Sequence, residues 1–158
     1  ADIISGHNPP VVVGYLNFGK VYMWGIDASV TYFVNRNLII DANYSFLSLS
    51  DFINPLTGTK EPINAPKHKW SMKATYESPK GYSIAAYLRH VNSFPWQSGI
   101  FYGTIKKYDI LDLHLGYSVN DHLRLFASIS NLFNNRHIEI MGGPKLGRMV
   151  VLRLQGSL

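Results

Sequence analysis

The chain has no cysteine, only 16% charged residues and no long apolar run. The absence of cysteine fits a protein that crosses an oxidising periplasm, although many cytosolic domains of this size also lack it. No stretch approaches the roughly 18 consecutive apolar residues that a membrane helix needs. With 46% hydrophobic and 13% aromatic residues, the chain is nevertheless too apolar to be a disordered tail.

A formal net charge of +5 raises the question of nucleic-acid binding. A nucleic-acid surface gathers its basic residues in one patch or stripe. Here they are spread over loops, turns and the polar faces of predicted strands: Lys20, Lys60, Lys67, Lys69, Lys73, Arg89, Lys106, Lys107, Arg124 and Arg153. We therefore expect no nucleic-acid partner.

Seven segments alternate apolar with polar residues, and the segments that connect them are alternately short and long. In one segment, every even-numbered residue from Leu38 to Phe46 is apolar, whereas Asp41, Asn43 and Ser45 between them are polar. Segments of about ten residues with this period are typical of a transmembrane β-barrel. The predicted strands cover residues 21–33, 38–48, 68–77, 82–91, 108–119, 123–132 and 148–158.

The joints and the aromatic residues predict how these strands lie in a membrane. Bacterial barrels have short periplasmic turns, here 34–37, 78–81 and 120–122, and longer extracellular loops, here 49–67, 92–107 and 133–147. Tyr and Trp favour the two membrane interfaces. We expect a bacterial outer-membrane location and two lipid-facing rows of aromatic residues, Tyr32, Tyr76, Tyr82 and Tyr117 near the short turns and Tyr22, Trp24, Tyr44, Phe46 and Trp70 near the long loops.

Seven strands that begin outside the cell do not make a closed bacterial barrel, which has an even number of strands. The chain is therefore expected to be the C-terminal part of a larger antiparallel barrel. Residues 1–20 would form an extracellular loop or strand extension, and residues 21–158 the barrel segment. An eighth strand over residues 10–18 would instead allow a small closed barrel, but its alternation is poor.

The last part of the chain contains several short motifs in a fixed order. They are Asn131-Leu132-Phe133-Asn134, then a short loop, then Gly143 to Arg148 as G-x-x-x-G-R, and then an alternating last strand. This order resembles the C-terminal end of TonB-dependent receptors. Two upstream segments also resemble patterns of this family. One is Asn17-Phe18-Gly19 followed by Gly25-Ile26-Asp27, and the other is Asn64 to Lys69, which reads N-x-P-x-H-K. The last residue, Leu158, departs from the family's usual Phe.

The resemblance implies a barrel of about 22 strands and active import of siderophores, haem, vitamins or glycans. The implied partners are outer-membrane lipid, the missing N-terminal strands and plug domain, the TonB complex through the TonB box of that plug, and a surface lipoprotein. A plug domain is not expected within this chain. The rival hypothesis is a small or split barrel that anchors a surface complex and transports nothing.

Candidate site residues follow from position rather than from a motif. We expect no enzyme, metal site or cofactor, because the histidines are scattered and neither a nucleophile nor an oxyanion site accompanies Asp112 and His114. Those two residues, about 7 Å apart by strand rise, face the lumen near Tyr87 and Arg89. Loop residues Trp96, Phe101 and Tyr102 are further candidates for ligand contact. An equally good interpretation is that these aromatic residues pack the loop against neighbouring segments and bind no ligand.

Overall fold

The computed structural model describes residues 20–49, 51–55 and 58–157. The segments that alternate with a period of two form β-strands. In the described part of the chain, no helix is long and apolar enough to cross a bilayer. The strands are β1 Gly25–Phe33, β2 Leu38–Leu47, β3 Asp51–Ile53, β4 Lys60–Pro62, β5 His68–Glu77, β6 Tyr82–Val91, β7 Phe94–Ser98, β8 Phe101–Ile105, β9 Tyr108–Asn120, β10 Leu123–Ser130 and β11 Met149–Gly156.

The main sheet contains seven strands in the order β1-β2-β5-β6-β9-β10-β11. Each neighbouring pair is antiparallel. Within the described residues, β1 and β11 lie at opposite edges and do not pair with each other, so the seven strands leave the sheet open, as the sequence predicts. The alternative eighth strand, over residues 10–18, lies outside the described residues.

The strand register puts apolar and polar side chains on opposite faces of the sheet. Leu113 of β9 lies opposite Ala86 of β6 and Ile129 of β10, whereas the adjacent Asp112 lies opposite Tyr87. Many large apolar side chains on the apolar face are open to the surroundings, among them Val30, Met72, Ile84, Leu115, Leu125, Leu152 and Leu154. A contiguous apolar surface of this kind suits contact with lipid.

Short turns are fixed by side-chain hydrogen bonds to the backbone. The Oδ1 atom of Asn35 accepts hydrogen bonds from the N–H groups of Asn37 and Leu38, at 2.8 and 2.9 Å. At the next short turn Gly81 has a φ of +87°, a conformation that glycine adopts without a steric cost. Such turns hold consecutive strands in one register.

Several predicted strand boundaries were wrong by one to four residues. β1 begins at Gly25, so Tyr22 and Trp24 precede it, although Trp24 N–H donates to Ser48 Oγ at 3.0 Å and Ser48 N–H to the Trp24 carbonyl at 2.9 Å. β10 ends at Ser130 because Asn131 adopts a φ of +55°. β2 ends one residue earlier, at Leu47, β9 extends to Asn120, and β11 covers Met149–Gly156.

Two of the predicted long loops contain short β-hairpins. The β3–β4 hairpin lies within residues 49–67 and the β7–β8 hairpin within residues 92–107. The β7–β8 hairpin reverses at Gly99, with a φ of +58°. Its buried cluster is Phe94, Ile105, Tyr108 and Ile110, with Trp96, Ile138 and Met141 packed around it. The largest cluster of buried side chains in the described residues therefore lies at the long-loop end of the sheet.

Candidate functional site

Two aromatic rows lie on the apolar face. In the row near the short turns, the ring centroids of Tyr76 and Tyr82 are 6.3 Å apart, and Tyr82 lies directly opposite Tyr117. Tyr32, on β1 near the first short turn, is 61% exposed. The order of these tyrosines across the sheet is the arrangement that an interfacial girdle requires.

The row near the long loops includes two histidines, His68 and His90, in addition to the predicted aromatic residues. Tyr44 Oη and His68 Nδ1 are 2.8 Å apart, and the rings of Trp70 and His90 stack with centroids 5.4 Å apart. Trp24 extends the row, its ring centroid 5.3 Å from that of Phe46. The signal was present in the alternation, since His68 lies two residues before Trp70 and thus on the same face.

Tyr87, Arg89 and Asp112 come together on the polar face near the long loops. Arg89 Nη2 donates to Asp112 Oδ2 at 3.3 Å, and the Arg89 guanidinium lies 5.7 Å from the centre of the Tyr87 ring. Asp112 is only 8% exposed. A buried carboxylate needs partners of this kind, because burying an unpaired charge is costly.

His114 belongs to a different part of the polar face. Its Nδ1 atom lies 3.1 Å from Ser128 Oγ, and it lines a groove of about 400 Å³ nearer the short turns, with Glu77, Ser83, Phe126 and Arg153. The predicted association of His114 with Asp112 is therefore limited to their shared face and strand. Each of the two has its own bonding partner.

Loop aromatics divide into a packed group and an exposed group. Trp96 packs on the buried cluster, with its ring centroid 6.3 Å from that of Phe94. Phe101 lies against the backbone of Gly142, at a place where a Cβ atom would come within 2.7 Å of its ring. Tyr102 is 79% exposed and is the candidate loop aromatic most accessible to a ligand. Trp96 thus matches the alternative in which aromatic residues fold the loop onto its neighbours, whereas Phe101 makes such a contact but is still 52% exposed.

Asparagine side chains fix the long loop that follows β10. Asn131 Nδ2 donates to the Asn135 carbonyl at 2.9 Å, and Asn131 Oδ1 accepts from Asn135 N–H at 2.8 Å. Asn134 Oδ1 accepts from Arg148 N–H at 3.0 Å, just before β11. Asn131 and Asn134, which belong to the motif that resembles the family, therefore also have a structural role that the sequence alone did not predict.

A second asparagine joins two of the long loops. Asn64, with a φ of +61°, donates through Nδ2 to the Gln97 carbonyl and accepts from Gln97 N–H, both at 2.8 Å. This reciprocal pair imitates one step of a β ladder at the edge of β7. This pair joins the loop of residues 49–67 to that of residues 92–107, and the contact of Phe101 with Gly142 joins the latter to the loop of residues 133–147.

Comparison with known proteins shows which family this chain resembles. A family model described as TonB-dependent receptor-like β-barrel matches residues 2–132. No curated protein matches the chain. The matched family is one of receptors rather than of enzymes.

Solved structures share the fold at low sequence identity. The ferric-catecholate import receptor Fiu from Escherichia coli K12 matches with a TM-score of 0.66 and 19% identity, over 84% of this chain and 20% of its own. The siderophore receptor PiuA from Acinetobacter baumannii gives 0.65 and 18%, over 85% and 21%, and the copper transporter OprC gives 0.67 and 17%, over 86% and 23%. The chain thus spans about a fifth of the length of these proteins, and its seven strands correspond to one sector of a larger outer-membrane barrel. It belongs to the TonB-dependent receptor β-barrel family.

Proposed function

We propose that this chain is part of a TonB-dependent receptor that imports a scarce nutrient across the bacterial outer membrane, of the siderophore, haem, vitamin or glycan class. The match of the family's barrel model to residues 2–132 carries the proposal. In this proposal residues 21–158 are a C-terminal sector of the barrel wall, preceded by a loop or strand extension over residues 1–20. The rest of the receptor supplies the other strands, the plug and the contact with the TonB complex.

The arrangement of the polar face supports an import role. In a barrel the polar face lines the lumen, and here its long-loop end carries Arg89, Tyr87 and Asp112 beside the packed loops. Short turns are periplasmic and long loops extracellular in this proposal, as in bacterial barrels generally. An incoming solute would then meet Tyr102 on the loops before it reaches Arg89 on the wall.

The test is nutrient uptake by cells with and without the polypeptide that carries this segment. Labelled ferric siderophores, haem, vitamins, glycans and copper would be supplied one at a time, with and without a protonophore that removes the inner-membrane energy source. We expect one substrate class to accumulate only in cells that have both the polypeptide and the energy source. Unchanged uptake of every class after deletion, with loss of a surface protein complex, would favour the structural-anchor hypothesis instead.

A further inference from the structure

A groove of about 400 Å³ opens on the polar face near the long loops. We define the Lys69 groove by five of its lining residues, Asn43, Lys69, Ser71, Tyr87 and Arg89. We propose that the Lys69 groove binds an acidic group, a carboxylate or a phosphate, of the imported solute. This inference rests on the proposed import function and narrows its substrate class to anionic compounds.

The positive charge of Lys69 is not balanced by the residue opposite it on either neighbouring strand. Lys69 lies opposite Ser45 on β2 and Val91 on β6, so neither cross-strand neighbour carries a carboxylate. Within the described residues Lys69 makes no salt bridge. Asp27, on the same row, is two strands away, roughly 10 Å by the spacing of strands in a sheet.

Lys73 provides an internal comparison. It is on the same strand and face as Lys69, but it lies directly opposite Asp41, whose carboxylate also accepts a hydrogen bond from Thr31 Oγ1 at 2.7 Å. Lys73 therefore has an acidic neighbour on the wall itself, whereas Lys69 does not. The excess positive charge is thus local to the Lys69 groove.

Arg89 adds donors of the required geometry. Ser71 lies directly opposite Arg89, which makes Lys69 and Arg89 diagonal neighbours about 7 to 8 Å apart at the backbone. Asp112 contacts Arg89 Nη2, and 38% of the Arg89 side chain is still exposed for contact with a ligand, although its Nε is buried. A planar guanidinium beside a flexible ammonium can hold an anionic oxygen pair from two sides.

Neutral donors and a ring complete the groove. Asn43 Nδ2 lies 3.5 Å from Ser71 Oγ, so this hydrogen bond is at the long limit and both groups can turn towards a ligand. The ring of Tyr87 also lines the groove, with its centre 5.7 Å from the central carbon of the Arg89 guanidinium. A neutral sugar would leave the Lys69 charge unpaired, whereas an acid would neutralise it.

This chain has no cysteine of its own, and the unmodified native polypeptide gives the background reaction of any cysteine elsewhere. Ser71→Cys places a thiol in the Lys69 groove of the native polypeptide, held in outer-membrane vesicles. Its rate of modification is measured with thiosulfonate reagents that carry a negative, a positive or no charge. We expect the anionic reagent to react fastest relative to the neutral one, and citrate, used as a probe, to protect the thiol.

Lys69→Gln in the same background should lower the anionic rate about threefold, the effect of one unit charge about 7 Å away in water. Lys69→Arg should restore the rate, and Lys73→Gln should lower it much less. An unchanged rate for the neutral reagent shows that the barrel is intact. Equal rates for both charged reagents, or no citrate protection, would overturn the anion site, and uptake of a neutral solute by the same receptor would leave the import function standing.

Discussion

Asp112 of β9 accepts a hydrogen bond from the backbone N–H of Asn131, at 2.8 Å. Asn131 lies where β10 ends and the last long loop begins, and it is only 4% exposed. Because the other carboxylate oxygen of Asp112 binds Arg89, one buried side chain connects the lumen wall to the base of the loop. These two hydrogen bonds explain how a charged residue is accommodated at a position that is only 8% exposed.

Removal of this carboxylate should destabilise the barrel. Asp112→Ala leaves the Arg89 guanidinium and the Asn131 amide without their partner, which we expect to cost about 2 to 3 kcal/mol in the free energy of unfolding. Asp112→Asn keeps one acceptor for Asn131 and should cost less. The measurement is urea unfolding of the native polypeptide in vesicles, with Asp121→Ala at an exposed short turn as the control. Equal stability of the Asp112 and Asp121 alanine variants would contradict the anchor role.

Packing between two long loops can be tested at a pair of glycines. Gly142 has a φ of +81°, and an added Cβ would meet the Phe101 ring at 2.7 Å, whereas Gly99 has a φ of +58° and open space around it. Both alanine variants carry a similar backbone penalty of about 1 kcal/mol. Only Gly142→Ala should also separate the β7–β8 hairpin from the last long loop.

Limited proteolysis of the native polypeptide measures this separation. Cleavage within residues 92–107 should be faster in Gly142→Ala than in Gly99→Ala, because the clash displaces Phe101 from its contact. If the two variants were cleaved at the same rate, backbone strain alone would account for the effect. The packing of Phe101 on Gly142 would then have no part in holding the loops together.

The sequence predicted the strands and their faces because alternation depends only on the nearest neighbours along the chain. It did not predict the β7–β8 hairpin, whose buried cluster combines Phe94 and Ile105 with Met141 from a distant loop. Such a cluster has no period to detect. Arg89 and Tyr87 lie two residues apart on one strand and so share a face, but that neither cross-strand neighbour of Lys69 carries a carboxylate depends on the strand register.

Orientation in the membrane remains a prediction, and two cysteine variants test it. Ile100, at the tip of β7–β8, is 85% exposed, and Lys80 stands in an exposed short turn. Ile100→Cys should react with a membrane-impermeant maleimide on intact cells. Lys80→Cys should react only after the outer membrane is permeabilised. Labelling of Lys80→Cys on intact cells would show that the short turns face outwards.

Lipid contact along the apolar face predicts a cost that depends on which face carries a charge. Leu113 lies near the middle of β9 on the apolar face, between Ala86 and Ile129, whereas Ser128 of β10 lies on the polar face opposite His114. Leu113→Arg should lower the free energy of unfolding in lipid vesicles by about 2 to 4 kcal/mol, the cost of an arginine near the bilayer midplane.

Ser128→Arg is the matched control for Leu113→Arg, because it adds the same side chain at a similar depth but towards the water-filled lumen. We expect its free energy of unfolding to remain close to that of the unmodified protein. A neutral replacement, Leu113→Met, separates loss of packing from the cost of charge, since methionine conserves volume and apolar character. Equal losses for the two arginine variants would mean that both faces meet the same solvent, and this would contradict the assignment of the apolar face to lipid.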